Sequence, residues 1–218
     1  MKQFVVIGCG RFGKSLALKL SELNQEVLVI DQDEDVVNEI SPSVTYAVTA
    51  DVTAEGVLED LGVQNFDVVI IGMSSNFEAS VLVTATAKEL GVDTVIAKVK
   101  DTLHGKIMTK IGADKVIIPE KETGLRLAHS LTKKSIIDFI EVSEEFSLME
   151  IKAPKNWTNK MIKDLEIRNK YNLSIIAVRR NEDIIINPEA DLVIGSSDVL
   201  SVVGKTSDIE ELVNITND

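Results

Sequence analysis

A single cysteine, Cys9, stands among 218 residues, which excludes any disulfide within the chain and suits a reducing compartment. Basic charge is scarce: 23 Lys and Arg face 35 Asp and Glu, the net charge is −12, and no basic stripe runs through the sequence. A phosphate backbone would be repelled, so nucleic acid is excluded as a partner. No apolar stretch approaches the length of a membrane span, the longest being Val68–Met73. No signal-peptide pattern precedes the first apolar core run. The chain therefore reads as soluble and cytoplasmic, with any membrane role carried by a partner. Catalytic patterns are missing as well. There is no G-x-x-x-x-G-K-[ST] and no Tyr-x-x-x-Lys, and neither His104 nor His129 has an evident acid–base partner.

What is present begins at once. Gly8-Cys9-Gly10-Arg11-Phe12-Gly13 follows directly on the apolar run Phe4-Val5-Val6-Ile7. Phe12, Leu16, Leu20 and Leu23 then recur at helical spacing. This strand–turn–helix holds phosphates in dinucleotide-type folds. The first glycine allows the tight turn, the second lets the backbone approach the anion, and the third lets helix pack on strand. A second run, Glu26–Ile30, ends at Asp31, 18 positions beyond Gly13. A carboxylate there accepts hydrogen bonds from ribose hydroxyls and repels a 2′-phosphate. The competing assignment for Asp31 is the cap of a helix over Asp33–Ile40.

Strands and helices then alternate with short turns. Strands are expected at Tyr46–Val48, Val68–Ile71, Thr94–Lys98 and Val116–Ile118. Between them lie a short helix capped by Thr53, a helix opened by the capping box Ser75–Glu78, and one with Leu103, Ile107 and Ile111 on its inner stripe. Pro119 suits the first turn of the next helix. Right-handed βαβ units make this α/β, a doubly wound parallel-sheet, Rossmann-like domain over residues 1–134. Hydrophobic residues at 44%, rich in Val and Ile, with 4% aromatics, fit that class.

Residues 135–143 carry Ile136, Ile137, Phe139 and Ile140, too apolar for a solvated linker. They are either an extra core element or a connecting, dimerising surface. Beyond them, short strands at Phe146–Ile151, Ser174–Arg179, Ile184–Ile186 and Val199–Val203, a helix near Lys160–Tyr171 and a last helix at Ser207–Ile215 make a small α+β domain, 144–218.

Ligands of open α/β sheets bind beyond the carboxyl ends of the strands. Here those ends carry Gly8–Gly13, Asp31, Asp51, Gly72–Ser75, Lys98 and Glu120. Arg11 can fork onto a terminal phosphate and Lys98 can add a second cation. Glu120 is either a carboxylate at a helix start, favoured by the dipole, or a ligand for Mg²⁺ or another hard cation beside phosphates. Arg126 is a further candidate contact. The second domain offers no nucleophile with a base and an orienting group, so the pocket reads as one that binds without reacting. An NAD-dependent oxidoreductase, or a redox-sensing NAD(H)-binding protein, remains the alternative on the glycine loop alone.

With Gly-x-Gly-Arg-Phe-Gly, Asp31, Asn65-Phe66-Asp67-Val68-Val69-Ile70, Lys110-Ile111-Gly112-Ala113-Asp114 and Ile118-Pro119-Glu120-Lys121 in place, the whole chain resembles the regulatory subunits of Ktr-type potassium uptake systems. Those carry an RCK (Trk-N-like) domain followed by an RCK-C (Trk-C-like) domain. The resemblance implies a homo-octameric ring built from dimers, peripheral to the inner face of the cell membrane, docked on a potassium-translocating subunit (KtrB/KtrD-like). It implies activation by ATP and inhibition by ADP, related rings also binding NAD(H). By the same resemblance Gly8, Gly10, Arg11, Phe12, Gly13 and Lys98 would lie about the phosphates, with Asp31, Asp33 and Asp51 toward the nucleoside and a cation on Glu120. Cyclic di-AMP would bind the second domain. Leu165-Glu166-Ile167-Arg168-Asn169-Lys170-Tyr171, then Ile175-Ile176-Ala177, then Pro188 match the family segment. Arg168 would meet a phosphate, with Ile162, Ile167, Ile175, Ile176 and Pro188 around the bases. Asn172 stands where many relatives have glycine, and asparagine also tolerates a left-handed backbone.

Overall fold

The computed structural model describes residues 2–74, 76–132, 136–143 and 145–216. Six parallel strands come first: β1 (Gln3–Ile7), β2 (Glu26–Asp31), β3 (Tyr46–Thr49), β4 (Val68–Ile71), β5 (Thr94–Lys98) and β6 (Lys115–Ile117). Helices α1 (Arg11–Glu22), α2 (Glu34–Ile40), α3 (Val57–Asp60), α4 (Phe77–Glu89), α5 (Thr102–Ile111) and α6 (Pro119–Thr132) alternate with them. The sheet order is β3-β2-β1-β4-β5-β6, so the winding reverses between β1 and β4, where such sheets open a crevice. The unbroken apolar runs follow from burial on both faces. Val5, Ile7, Leu28, Ile30, Val69 and Ile71 pack with Leu58 and Val83 on one side. Val6, Val27, Val29 and Ile70 pack with Ala17 and Ile40 on the other.

Local chemistry sets the helix starts, and some differ from expectation. Asp33, not Asp31, caps α2, its Oδ1 accepting from the N–H groups of Asp35 and Val36. Asn76 caps α4 through Ala79 N–H; the Ser75 half of the expected capping box lies outside the described residues. Thr53 does not cap α3. It donates to Asp51, and Gly56, left-handed at φ 80°, precedes that helix. On α5 the inner positions are Gly105 and Met108, while Leu103 is exposed.

The chain divides into two compact units, Met1–Lys121 and Glu122–Asp218. The division falls inside α6, earlier than position 134. The second unit is an antiparallel sheet of β7 (Ile136–Glu141), β8 (Phe146–Lys152), β9 (Ser174–Arg180), β10 (Asp183–Ile186) and β11 (Val199–Lys205), in the order β10-β9-β11-β8-β7. Residues 136–141 are thus an edge strand on β8 rather than a plain connector. Phe139 enters the core while Ile140 is 51% exposed. The expected helix at 160–171 is two short pieces, α7 (Ile162–Leu165) and α8 (Ile167–Tyr171), broken where Glu166 turns left-handed at φ 47°. Asn172 takes the left-handed turn at φ 54°. The last helix, α9 (Thr206–Thr216), lays Ile209, Leu212 and Val213 on a core around Trp157, Met149 and Leu200.

A buried carboxylate pins the loop before β11. Asp198 accepts from Arg180 Nε at 2.8 Å and Nη2 at 2.7 Å, and from Gly195 N–H at 2.7 Å. The Arg180 hydrogen bonds hold its carboxyl below the usual range. A depressed pKa contributes stability that is present above the unfolded-state value, about 3.9, and fades as pH falls through the folded one. Asp198→Asn should therefore cost about 2–3 kcal/mol at neutral pH. In urea titrations the gap from the unsubstituted chain should close below about pH 4; a gap constant down to acid pH would refute this assignment.

Candidate functional site

A cavity of about 440 Å³ opens over the carboxyl ends of β1 to β4. Its wall takes Gly8 and Gly10 from the glycine loop, Asp31 and Gln32 after β2, Asp51 to Thr53 after β3, and Gly72, Met73 and Asn76 after β4. The glycines shape it by what they leave out. Gly8 sits at φ 87°, and a Cβ on it would come within 3.1 Å of Met73 N. A Cβ on Gly13 would run into the Gly8 carbonyl oxygen, so α1 can approach β1 this closely only without a side chain there. Gly10 lines the cavity, and a Cβ there would meet nothing within 4 Å. That open space is where a ligand can come close to the backbone.

Helix α1 is built differently from α2, α4 and α5. Those three have Asp33, Asn76 and Asp101 as acceptors at their starts. The N-cap of α1 is Gly10, with no side-chain acceptor and no acidic residue in the first turn. The first N–H groups of a helix need an acceptor from outside it. A twelve-residue helix that brings an uncapped, positive dipole end to a cavity fits an anion.

Asp31 closes the other side. Its Oδ2 accepts from Cys9 N–H at 2.6 Å and its Oδ1 from Asp33 N–H at 3.0 Å, so the carboxylate ties the loop to the end of β2. Asp51 is held below the usual carboxylate range, chiefly by the Thr53 hydroxyl. The Cys9 thiol is buried, and burial, with Asp31 beside it, pushes its pKa up; a thiol so placed is a packing group, not a nucleophile.

Arg11, Phe12, Lys98 and Glu120 gather separately, and none of them is in the cavity wall. Lys98 Nζ lies 2.8 Å from Glu120 Oε1 and 5.9 Å from the Phe12 ring centroid. The Lys98 hydrogen bond, aided by the Arg11 charge, holds the Glu120 carboxyl below its ordinary value. Asp33 is likewise outside the wall. Among the described residues no group of three or more His, Cys, Asp or Glu could hold a metal. Glu120 alone could therefore contribute a single carboxylate, enough for a hard cation that completes its shell with water and phosphate oxygens.

The second unit has a cavity of about 410 Å³, walled by Ile162, Ile167, Arg168, Ile175 and Pro188 together with Lys163. Five of the six residues expected there are brought together. Ile176 is not in the wall, because β9 bulges against β11 beside it and shifts the alternation. Lys163 supplies a second cation that sequence reading missed.

Sequence reading also passed over Gln32, Thr53 and Asn76 as wall residues, although each lies just past a strand end and the strand-end rule reaches them. His104 was read as lacking a partner; Asp101 Oδ2 lies 2.8 Å from its Nδ1, and its ring is tilted against Phe77. The His129 side chain lies outside the described residues.

The TrkA-N domain family matches residues 4–119 and the TrkA-C domain family residues 147–217. Ktr system potassium uptake protein C of Bacillus subtilis is 43% identical, over 95% of this chain and 94% of that one. Protein A of the same system and organism is 38% identical, over 98% and 96%. Among solved structures, the GsuK channel bound to NAD aligns with a TM-score of 0.69 at 21% identity. It matches 97% of this chain, which spans only 39% of that channel's length. That likeness is one of fold.

Proposed function

The chain belongs to the family that joins a TrkA-N to a TrkA-C domain, that of the Ktr potassium uptake proteins, and from that premise we propose a nucleotide-controlled regulatory subunit of a potassium uptake system. The observation that carries it is the uncapped start of α1 over the glycine-lined cavity, with the Asp31 carboxylate in the same wall. No helix among the described residues is long and apolar enough to cross a membrane. By kinship with the Ktr potassium uptake proteins, potassium would pass through a separate membrane-embedded subunit, this chain acting at its cytoplasmic face.

In this reading ATP favours the active form and ADP the inactive one. Asp31 accepts from the ribose hydroxyls, the loop N–H groups hold phosphate oxygens, and Arg11 and Lys98 meet the terminal phosphate. A Mg²⁺ or similar ion supplies positive charge between phosphates and the Glu120 carboxylate. Eight chains, paired as dimers, would form a ring; exposed Ile140 and Val142 suit a buried contact between copies. The second cavity would take cyclic di-AMP, with Arg168 on a phosphate and Ile162, Ile175 and Pro188 against the bases.

Arg11→Ala should cut ATP affinity about tenfold and ADP affinity much less, since a guanidinium fork is lost only from the terminal phosphate. Calorimetry with both nucleotides reads the difference, and equal losses would count against a role for Arg11 in telling them apart. Adding NADH to the same cell separates the remaining alternative. An oxidoreductase would consume it with some small substrate, whereas a regulator would only exchange it for ATP.

A further inference from the structure

Lys98 is a cation withdrawn from water at the carboxyl edge of the first unit: its side chain is 12% exposed, against 65% for its partner Glu120. A charge so placed needs an anion. Glu120 is the carboxylate that meets it, at 2.8 Å, with the Phe12 ring on another side at 5.9 Å. Phe12 belongs to the first turn of α1, whose N–H groups await an acceptor. The ammonium therefore lies beside the side chain of a first-turn residue of α1, but is spent on a side chain of α6.

On this geometry, and resting on the nucleotide reading above, we infer that Glu120 is an internal stand-in anion: it occupies Lys98 until a nucleotide phosphate replaces it, and the exchange unfastens the first turn of α6 from the end of β5. A terminal phosphate carries more charge and more acceptor oxygens than a carboxylate, and Arg11, whose charge already reaches Glu120, favours the same replacement. Glu120 swings easily because it is mostly in water; Lys98 stays because its stem is buried. The consequence is positional. α6 is the helix in which the chain passes from the first compact unit to the second, so releasing its first turn is a route from phosphate occupancy to the other unit. Freed, the Glu120 carboxylate becomes available to a cation beside the phosphates.

The exchange makes Glu120 an inhibitor of nucleotide binding that acts through Lys98, and a double-mutant cycle isolates that path. ATP affinity of the full-length chain is measured by calorimetry in excess EDTA, with no divalent cation present. Glu120→Gln should tighten ATP about fivefold, the scale of one partly exposed ion pair. In a Lys98→Met background the same change should do little, because the ammonium it freed is gone. Hydrogen exchange at residues 122–125, whose amides bond back to the first turn of α6, gives a second readout: it should speed up when ATP is added to the unsubstituted chain, and be fast already in Glu120→Gln without ATP. Equal tightening in both backgrounds would mean that Glu120 merely repels phosphate, and overturns the exchange, as does unchanged affinity in Glu120→Gln. If the unsubstituted chain binds no ATP, the nucleotide reading itself falls and the exchange with it.

Discussion

Gly13→Ala should weaken nucleotide binding about a hundredfold and lower stability together. The added Cβ has nowhere to go, since the Gly8 carbonyl oxygen fills that space and belongs to backbone rather than to a side chain that could turn away. Gly8 cannot retreat easily either, being at φ 87° with Met73 N only 3.1 Å from where a Cβ of its own would stand. The strain should cost about 3 kcal/mol, as overpacking of a close-packed site does. In the proposed binding mode, moving the start of α1 off the cavity would remove at least two N–H contacts to phosphate; at about 1.5 kcal/mol each, that is a hundredfold in affinity. Gly10→Ala is the informative contrast. Its Cβ meets no protein atom within 4 Å, so the variant should melt like the unsubstituted chain yet bind nucleotide poorly, because the methyl takes the space the ligand needs. Thermal unfolding and calorimetry on both variants check the pair of outcomes. A Gly13→Ala chain that melts and binds normally would show that helix and strand do not meet as described.

Asp31→Ala has the second large expected effect, and it acts twice. The variant strands the N–H of Cys9, which donates to Oδ2 at 2.6 Å, at about 1–3 kcal/mol for a part-buried donor left unmet. In the proposed binding mode it would also remove the acceptor for the ribose, weakening ATP, ADP and NADH by the same factor, about a hundredfold for two hydrogen bonds to a charged group. Asp31→Asn separates the two roles. Its amide oxygen can still accept from Cys9, so the melting temperature should return most of the way while affinity stays low. A selective loss of one nucleotide in Asp31→Ala would place this carboxylate away from the ribose.

The first unit was largely legible because its signals are redundant. Val5, Val6 and Ile7 are buried on both faces, so the strand needs no alternation to be seen, and three glycines at fixed spacing demand one local geometry. Where a single residue decided the outcome, reading failed. Thr53 looks like a helix cap and serves Asp51 instead; Leu103 fits an apolar stripe and faces water. Glu166 gave no sign that it would break a helix, since a left-handed glutamate is set by its surroundings and not by preference. The separation of Asp31, in the cavity wall, from Lys98 and Glu120, paired outside it, was also invisible. Strand ends show which edge a residue lies on, but ion pairs among side chains depend on distances that spacing does not carry. Ile176 shows the same limit, its place being decided by a bulge in its own strand against β11.

In the proposed function the uncapped start of α1 holds the phosphates of a regulatory nucleotide. Titration of the purified full-length chain with ATP in the presence of Mg²⁺, repeated with Gly10→Ala, tests it most directly. One saturable site per chain is expected, competed by ADP and lost in the variant. Saturable binding that Gly10→Ala leaves intact, or no binding to the unsubstituted chain, would contradict it.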